Sequence, residues 1–421
     1  MRWPVANSVP DRTSDRCYSI KRTTRLAAVA NAGSNDRSPT LVADCEASGP
    51  TLERVARVMD SVPGASYAGM VHGVRSGEAR DRQVREAGEG RRLEPPTFRD
   101  ILRARAVVHR YLPATPLLPA PLLSERLGCQ IYLKCEQMQP IGAFKVRGGV
   151  YLMSRLSEEE RARGVVTAST GNHGQSIAYA ARLFGVRAII YAPEGANPLK
   201  VAAMRRLGAE VVLTGRDFDE ARLACEAHAA AEGLRYIHSA NEPDLIAGVG
   251  TYALEIIEAL PDVEVVIVPI GAGSGVCGTG IVMKTVDPGI RVIGVQAAGM
   301  PVVYESWRQG KLLELRDGYT FAEGIATRVA FELPLRIIRE RVDDIVLVSD
   351  EEIARSMVEL LEAGRVVAEG AGAAALAAAY RLRDQLRGKN VVLVVSGGNV
   401  TLETLRWAFD VFTASNSEVS E

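Results

Sequence analysis

The feature that most constrains this chain is an alternation that begins near Thr97. Short apolar runs recur among stretches of helical period. Val165–Ala168, Val186–Tyr191, Val211–Leu213, Glu264–Ile270, Val292–Gln296, Ile345–Val348 and Val391–Val395 read as strands. Gly174–Phe184, Leu199–Leu207, Phe218–Ala231, Gly250–Leu260 and Gly372–Leu382 read as helices. Apolar runs without polar alternation fit strands covered on both faces, and interspersed helices fit parallel pairing. The expected class is therefore α/β. Local chemistry agrees: Asn197-Pro198 is a cap followed by Pro at the first helical position, and Ser349 with Glu352 makes a capping box.

In open α/β sheets, ligands bind beyond the carboxyl ends of the strands. Three strands here run into small, Gly-rich loops, at Ser169, Gly271 and Ser396, which suggests one shared site. Gly271–Gly275 before a helix can cradle an anion, although such a turn also serves plain tight packing. No Lys-Ser/Thr follows, so it is not a P-loop. The next strand finishes at Gln296, with no acidic residue for a ribose, which disfavours a nicotinamide. Ser169–His173 is a second candidate cradle, for a carboxylate, or an ordinary helix cap in which His173 packs. A lone lysine is ordinarily a solvated charge. Lys145 differs in following Phe144, sitting among glycines and preceding two anion cradles, a setting in which a lysine can form a Schiff base.

Charge excludes some partners. Lys+Arg (50) nearly cancels Asp+Glu (51), so no global field draws nucleic acid or an anionic membrane. No apolar run reaches the roughly 18 residues of a membrane span. A small molecule is the expected partner. None of the six cysteines forms a C-x-x-C pair or sits with histidines at ligand spacing. The expectation is no metal, thiols in a reducing compartment, and a cytoplasmic location. Residues 1–94 lack periodicity and read as a disordered extension, or as the product of a start site set upstream of Met59 or Met70.

An ordered set of motifs then becomes recognisable. It comprises Lys134-Cys135-Glu136-Gln137, Gly142-Ala143-Phe144-Lys145-Val146-Arg147-Gly148, Ala168-Ser169-Thr170-Gly171-Asn172-His173-Gly174-Gln175, Pro269 to Gly275, Glu369-Gly370-Ala371-Gly372-Ala373 and Ser396-Gly397-Gly398-Asn399. It resembles the fold-type II pyridoxal 5′-phosphate (PLP) enzymes, above all the threonine/serine dehydratases (ammonia-lyases) and serine racemase, over about Thr97 to Phe412. The resemblance implies a tryptophan synthase β-like fold of two open, twisted, mostly parallel sheets flanked by helices. It implies a large PLP-binding domain at 95–163 plus 239–414, a small substrate-carboxylate domain at 164–238, a tail at 415–421, and a homo-oligomer, dimer or tetramer.

The same resemblance implies roles. Lys145 would hold PLP as a Schiff base and remove the substrate's Cα proton, with Phe144 beside the ring. Asn172 would bond the ring 3′-oxygen. Backbone N–H groups of Gly271, Ala272, Gly273, Ser274 and Gly275 would bind the phosphate. Ser396 would face the pyridine nitrogen. Ser169, Thr170, Gly171 and His173 would line the substrate carboxylate, and Thr320–Thr327 would reach the side-chain pocket. The reaction implied is release of a 2-oxo acid and ammonia from a threonine- or serine-like β-hydroxy amino acid. Alternatives are β-replacement, threonine synthesis, racemisation, or a non-catalytic PLP or amino-acid binding protein. Thr170 stands where serine racemase carries a Ser acid/base, which disfavours racemisation. Ala143 replaces a usual Ser, and Val295–Met300 lacks the carboxylates that hold a cation in some relatives.

Overall fold

The computed structural model describes residues 74–76 and 93–417. Met59, Met70, the tail residues 418–421 and most of the N-terminal extension lie outside them. Twelve strands occur among the described residues: β1 (Val74–Ser76), β2 (Leu117–Pro119), β3 (Gln130–Cys135), β4 (Val165–Ala168), β5 (Ala188–Ala192), β6 (Glu210–Leu213), β7 (Arg235–Tyr236), β8 (Val265–Pro269), β9 (Arg291–Ala297), β10 (Leu313–Leu315), β11 (Asp344–Val348) and β12 (Asn390–Val395). The larger sheet has the order β11-β9-β8-β12-β3-β2, parallel except for β2 against β3. The smaller sheet, β6-β5-β4-β7, is parallel throughout. Val74–Ser76 lies within the segment expected to be irregular, and there it pairs antiparallel with β10.

The central strands show why apolar runs were legible. In β12, Val392 and Val394 enter one core, while Val391, Leu393 and Val395 enter another on the opposite face. Alternate residues point to opposite faces, so a strand covered on both sides is apolar at every position. The first core extends into the helices Lys145–Arg155 and Thr251–Ala259, the second into Asp350–Glu362 and Gly370–Arg381. The helix expected at Gly250–Leu260 is Thr251–Ala259, and a further helix that was not expected, Pro243–Val249, opened by its proline, precedes it. The last helix, Leu402–Ser417, runs into the segment expected to be a tail. Among the described residues, no helix is long and apolar enough to cross a membrane.

Loops beyond β4, β8 and β12 carry the three Gly-rich motifs. A fourth segment joins them. Ala143 bridges Gly397 antiparallel. The Phe144 N–H donates to the Ser396 carbonyl at 3.1 Å, and the Gly398 N–H to that of Gly142 at 2.9 Å. This pairing sets Lys145, the first residue of its helix, beside Ser396. The helix Asn172–Phe184 packs against it, and Ser176 Oγ donates to the Lys145 carbonyl at 2.7 Å.

Candidate active site

One cavity is lined by Phe144, Lys145, Pro269, Gly271, Ala272, Gly273, Ser274, Gly275, Gly324, Ile325 and Ser396. Lys145 is partly exposed on its wall. The surrounding protein strips water from the amine and brings it from 10.5 down to about 8, with the Glu369 charge acting the other way. Its Nζ lies 5.3 Å from the centroid of the Phe144 ring, and no described protein group accepts a hydrogen bond from it. Phe144 meets Tyr252 edge to face at 6.2 Å, and the Tyr252 hydroxyl donates to the Gly275 carbonyl at 3.0 Å. The wall beside the amine is therefore tied to the glycine turn opposite.

That turn is shaped for an anion. β8 ends at Pro269 and the helix Ser274–Val286 starts five residues later, so its unpaired first N–H groups and positive end face the loop. Gly273 caps the helix at φ +102°, a conformation side chains resist. A Cβ on Gly271 would lie 2.3 Å from the Gly324 carbonyl oxygen. Ser396 is buried, and no described group bonds its hydroxyl. A desolvated amine with no hydrogen-bond partner among the described residues, a glycine-lined cradle at a helix N-terminus and an unbonded hydroxyl around one cavity suit a phosphorylated aldehyde with a ring nitrogen.

The second cradle is built differently from expectation. Ser169 Oγ accepts from the N–H groups of Gly171 (3.2 Å) and Gly174 (2.8 Å), so its side chain shapes the turn. Thr170 and Gly171 are half-buried at the turn's surface. Thr167 donates to the Ile237 carbonyl, so its hydroxyl accepts from His173 Nε2 at 3.0 Å. His173 thus serves the base of the turn. Burial first, then the charges of Lys145 and His238, push its pKa down to about 3. A group neutral when folded takes a proton on unfolding below 6.5, so its contribution is lost as pH falls toward 3. His173→Asn removes that liability. Between pH 7.5 and 5, wild type is expected to lose about 2 kcal/mol more stability than the variant in paired urea titrations. Parallel losses would refute a buried neutral imidazole.

Asn172 does not line the cavity. Its amide donates to Glu369 Oε1 (2.7 Å) and accepts from Asn399 Nδ2 (2.8 Å), which leaves one N–H for a ligand. Glu369 and Asn399 carried no assigned role in the sequence. Burial raises Glu369 to about 7, opposed by the Lys200 charge, the Asn172 hydrogen bond and the Asn399 backbone. Lys200, another residue without an assignment, is paired with Glu323. The only local hint of Glu369 was its place in a Gly/Ala-rich motif. Gly324 and Ile325, from the stretch expected at the side-chain pocket, do line the cavity. Among the described residues, no group of three or more His, Cys, Asp or Glu could hold a metal ion.

Comparison with known proteins places this geometry. Residues 109–397 match the family described as pyridoxal-phosphate dependent enzyme. The chain is similar to an L-threonine ammonia-lyase of Thermotoga maritima, 43% identical over 309 residues, 73% of this chain and 77% of the relative. It is similar to an L-threo-3-hydroxyaspartate ammonia-lyase of Saccharomyces cerevisiae, 37% identical over 73% of this chain and 94% of the relative. The solved structure of a processed threonine deaminase isoform 2 from Solanum lycopersicum superposes with a TM-score of 0.72 at 33% identity, covering 76% of this chain and 95% of that one.

Proposed function

The chain belongs to the pyridoxal-phosphate-dependent enzymes and is an ammonia-lyase of β-hydroxy amino acids, and from that premise we propose that its substrate is L-threonine, converted to 2-oxobutanoate and ammonia. The observation that carries this reading is a desolvated amine, with no hydrogen-bond partner among the described residues, facing a glycine cradle at a helix N-terminus. Ile325 supports threonine over serine, because it gives the cavity a buried apolar wall for the γ-methyl.

When bound, PLP supplies an electron sink conjugated to the substrate amine. Lys145 would hold its aldehyde, the Gly271–Gly275 turn its phosphate, and Ser396 its ring nitrogen. A hydroxyl at that position need not keep the nitrogen protonated, which favours elimination over long-lived carbanion chemistry. The lowered pKa of Lys145 leaves a useful fraction as neutral amine near neutral pH, able to accept the Cα proton. Ser169, Thr170 and Gly171 would line the substrate carboxylate, with the Thr170 N–H as the donor, because the N–H of Ser169 bonds the Tyr191 carbonyl and that of Gly171 bonds Ser169 Oγ. Cytoplasmic residence fits the four described cysteines, Cys129, Cys135, Cys225 and Cys277, all free and buried.

Incubating the purified protein with L-threonine should release 2-oxobutanoate and ammonia in equal amounts. An absence of 2-oxo acid from threonine, serine and larger β-hydroxy amino acids alike would remove the proposal.

A further inference from the structure

We infer that Lys200 and Glu323 form a charge pair across the mouth of the site that favours β-hydroxy amino acids with uncharged side chains over those with a second carboxylate. This rests on the proposed reading of the cavity and adds the side-chain charge it accepts.

The two residues come from opposite sides. Lys200 belongs to the helix Pro198–Arg206, between β5 and β6 of the smaller sheet. A Cβ built on Gly171 would lie 3.8 Å from its Nζ, so the ammonium stands beside the turn proposed to hold the substrate's carboxylate. Glu323 opens the short turn Glu323–Ile325, whose other residues line the cavity with Lys145. The Lys200 and Glu323 side chains are paired, and 15% and 56% exposed respectively. Both also act on buried Glu369, the lysine lowering its pKa and Glu323 raising it. The pair therefore lies within electrostatic reach of the Asn172–Glu369 contact as well as the rim.

Charge decides what fits beneath it. A substrate whose α-carboxylate lies on the Ser169–Gly171 turn presents that group to the Lys200 ammonium. Its side chain extends toward Gly324 and Ile325, beside Glu323. The methyl of threonine carries no charge to oppose. A side-chain carboxylate would meet Glu323, while the Lys200 ammonium is already shared. Repulsion of this kind rejects a partner without improving contacts to the preferred one.

The test compares kcat/KM for L-threonine and L-threo-3-hydroxyaspartate in wild type, Glu323→Gln and Lys200→Gln. Glu323→Gln should move the ratio at least about tenfold toward the dicarboxylic substrate, and Lys200→Gln about tenfold toward threonine. Binding of succinate, scored against butyrate by titration calorimetry, should follow the same order and does not depend on turnover. Ratios within twofold of wild type in either folded variant, with unchanged succinate preference, overturn the inference. If one variant fails to fold, the other decides. Wild type that releases 2-oxo acid from neither substrate counts against the proposed function instead, while the succinate comparison still judges the pair.

Discussion

Lys145→Ala is expected to reduce turnover by roughly 10⁴-fold or more while leaving the chain folded. The loss combines two functions of one amine, covalent attachment of the cofactor and transfer of the Cα proton. A positioned base alone is worth about 10² to 10⁴ in rate. Folding should survive because Lys145 opens its helix, where Ala is well tolerated, and no described group bonds its amine. The sign on stability is opposite to that on activity. At neutral pH most of the amine is protonated both folded and unfolded, and only the folded state bears its desolvation. A fall from 10.5 to about 8 corresponds to as much as about 3 kcal/mol, offset in part by lost packing of the alkyl chain. The cofactor-free variant should therefore unfold at least as late as cofactor-free wild type. Steady-state 2-oxo acid release and thermal unfolding of both apo forms give the two readouts. Turnover within tenfold of wild type would end the assignment of Lys145. An unfolded variant would show instead that the amine is structural.

The sequence made some of this legible and hid the rest for physical reasons. Parallel strands packed on both faces declare themselves, so β4 matches its expected bounds and β8, β9, β11 and β12 fall within one residue of theirs at each end. Loops that need glycine were equally readable, because only a few residues tolerate a φ of +102° or an approach of 2.3 Å. β3 was not readable. It contains Lys134, a charge that argues for solvent until its partner is known. Glu369 was missed similarly, since a buried carboxylate is uncommon unless something compensates it. Its compensation comes from Asn172, 197 residues away. Lys200 and Glu323 are 123 residues apart, and each alone looks like an ordinary surface charge. Chemistry shared between distant segments leaves no periodic signal.

Arg147 illustrates the point and should give the largest stability effect. Two residues beyond Lys145, it is fully buried, with bonds of 2.8 and 2.9 Å to Glu136 and of 2.6 and 2.8 Å to Glu255. Lys134 bonds Glu255 at 2.5 Å, and Thr115 donates to Glu136 at 2.6 Å. Two cations thus balance two carboxylates between β3, the Lys145 helix and the helix Thr251–Ala259. Burial alone would raise the pKa of Glu255, yet the hydrogen bonds and charge of Arg147, with Lys134, bring it to about 2. Arg147→Met fills similar space but leaves two buried carboxylates facing one lysine. The expected loss is about 3 to 5 kcal/mol at pH 7, measured by urea unfolding. Arg147→Lys should recover only part, because an ammonium cannot reproduce two forked contacts. The deficit should shrink as pH falls. In the variant a carboxylate pKa rises above its unfolded value, and such a group favours the folded state below that value and opposes it as pH rises through the raised pKa. Adding Glu136→Gln to Arg147→Met should restore stability at pH 7 for the same reason. A single variant within 1 kcal/mol of wild type at pH 7, or a deficit that does not vary with pH, would mean that packing rather than balanced charge holds the first turn of the Lys145 helix in place.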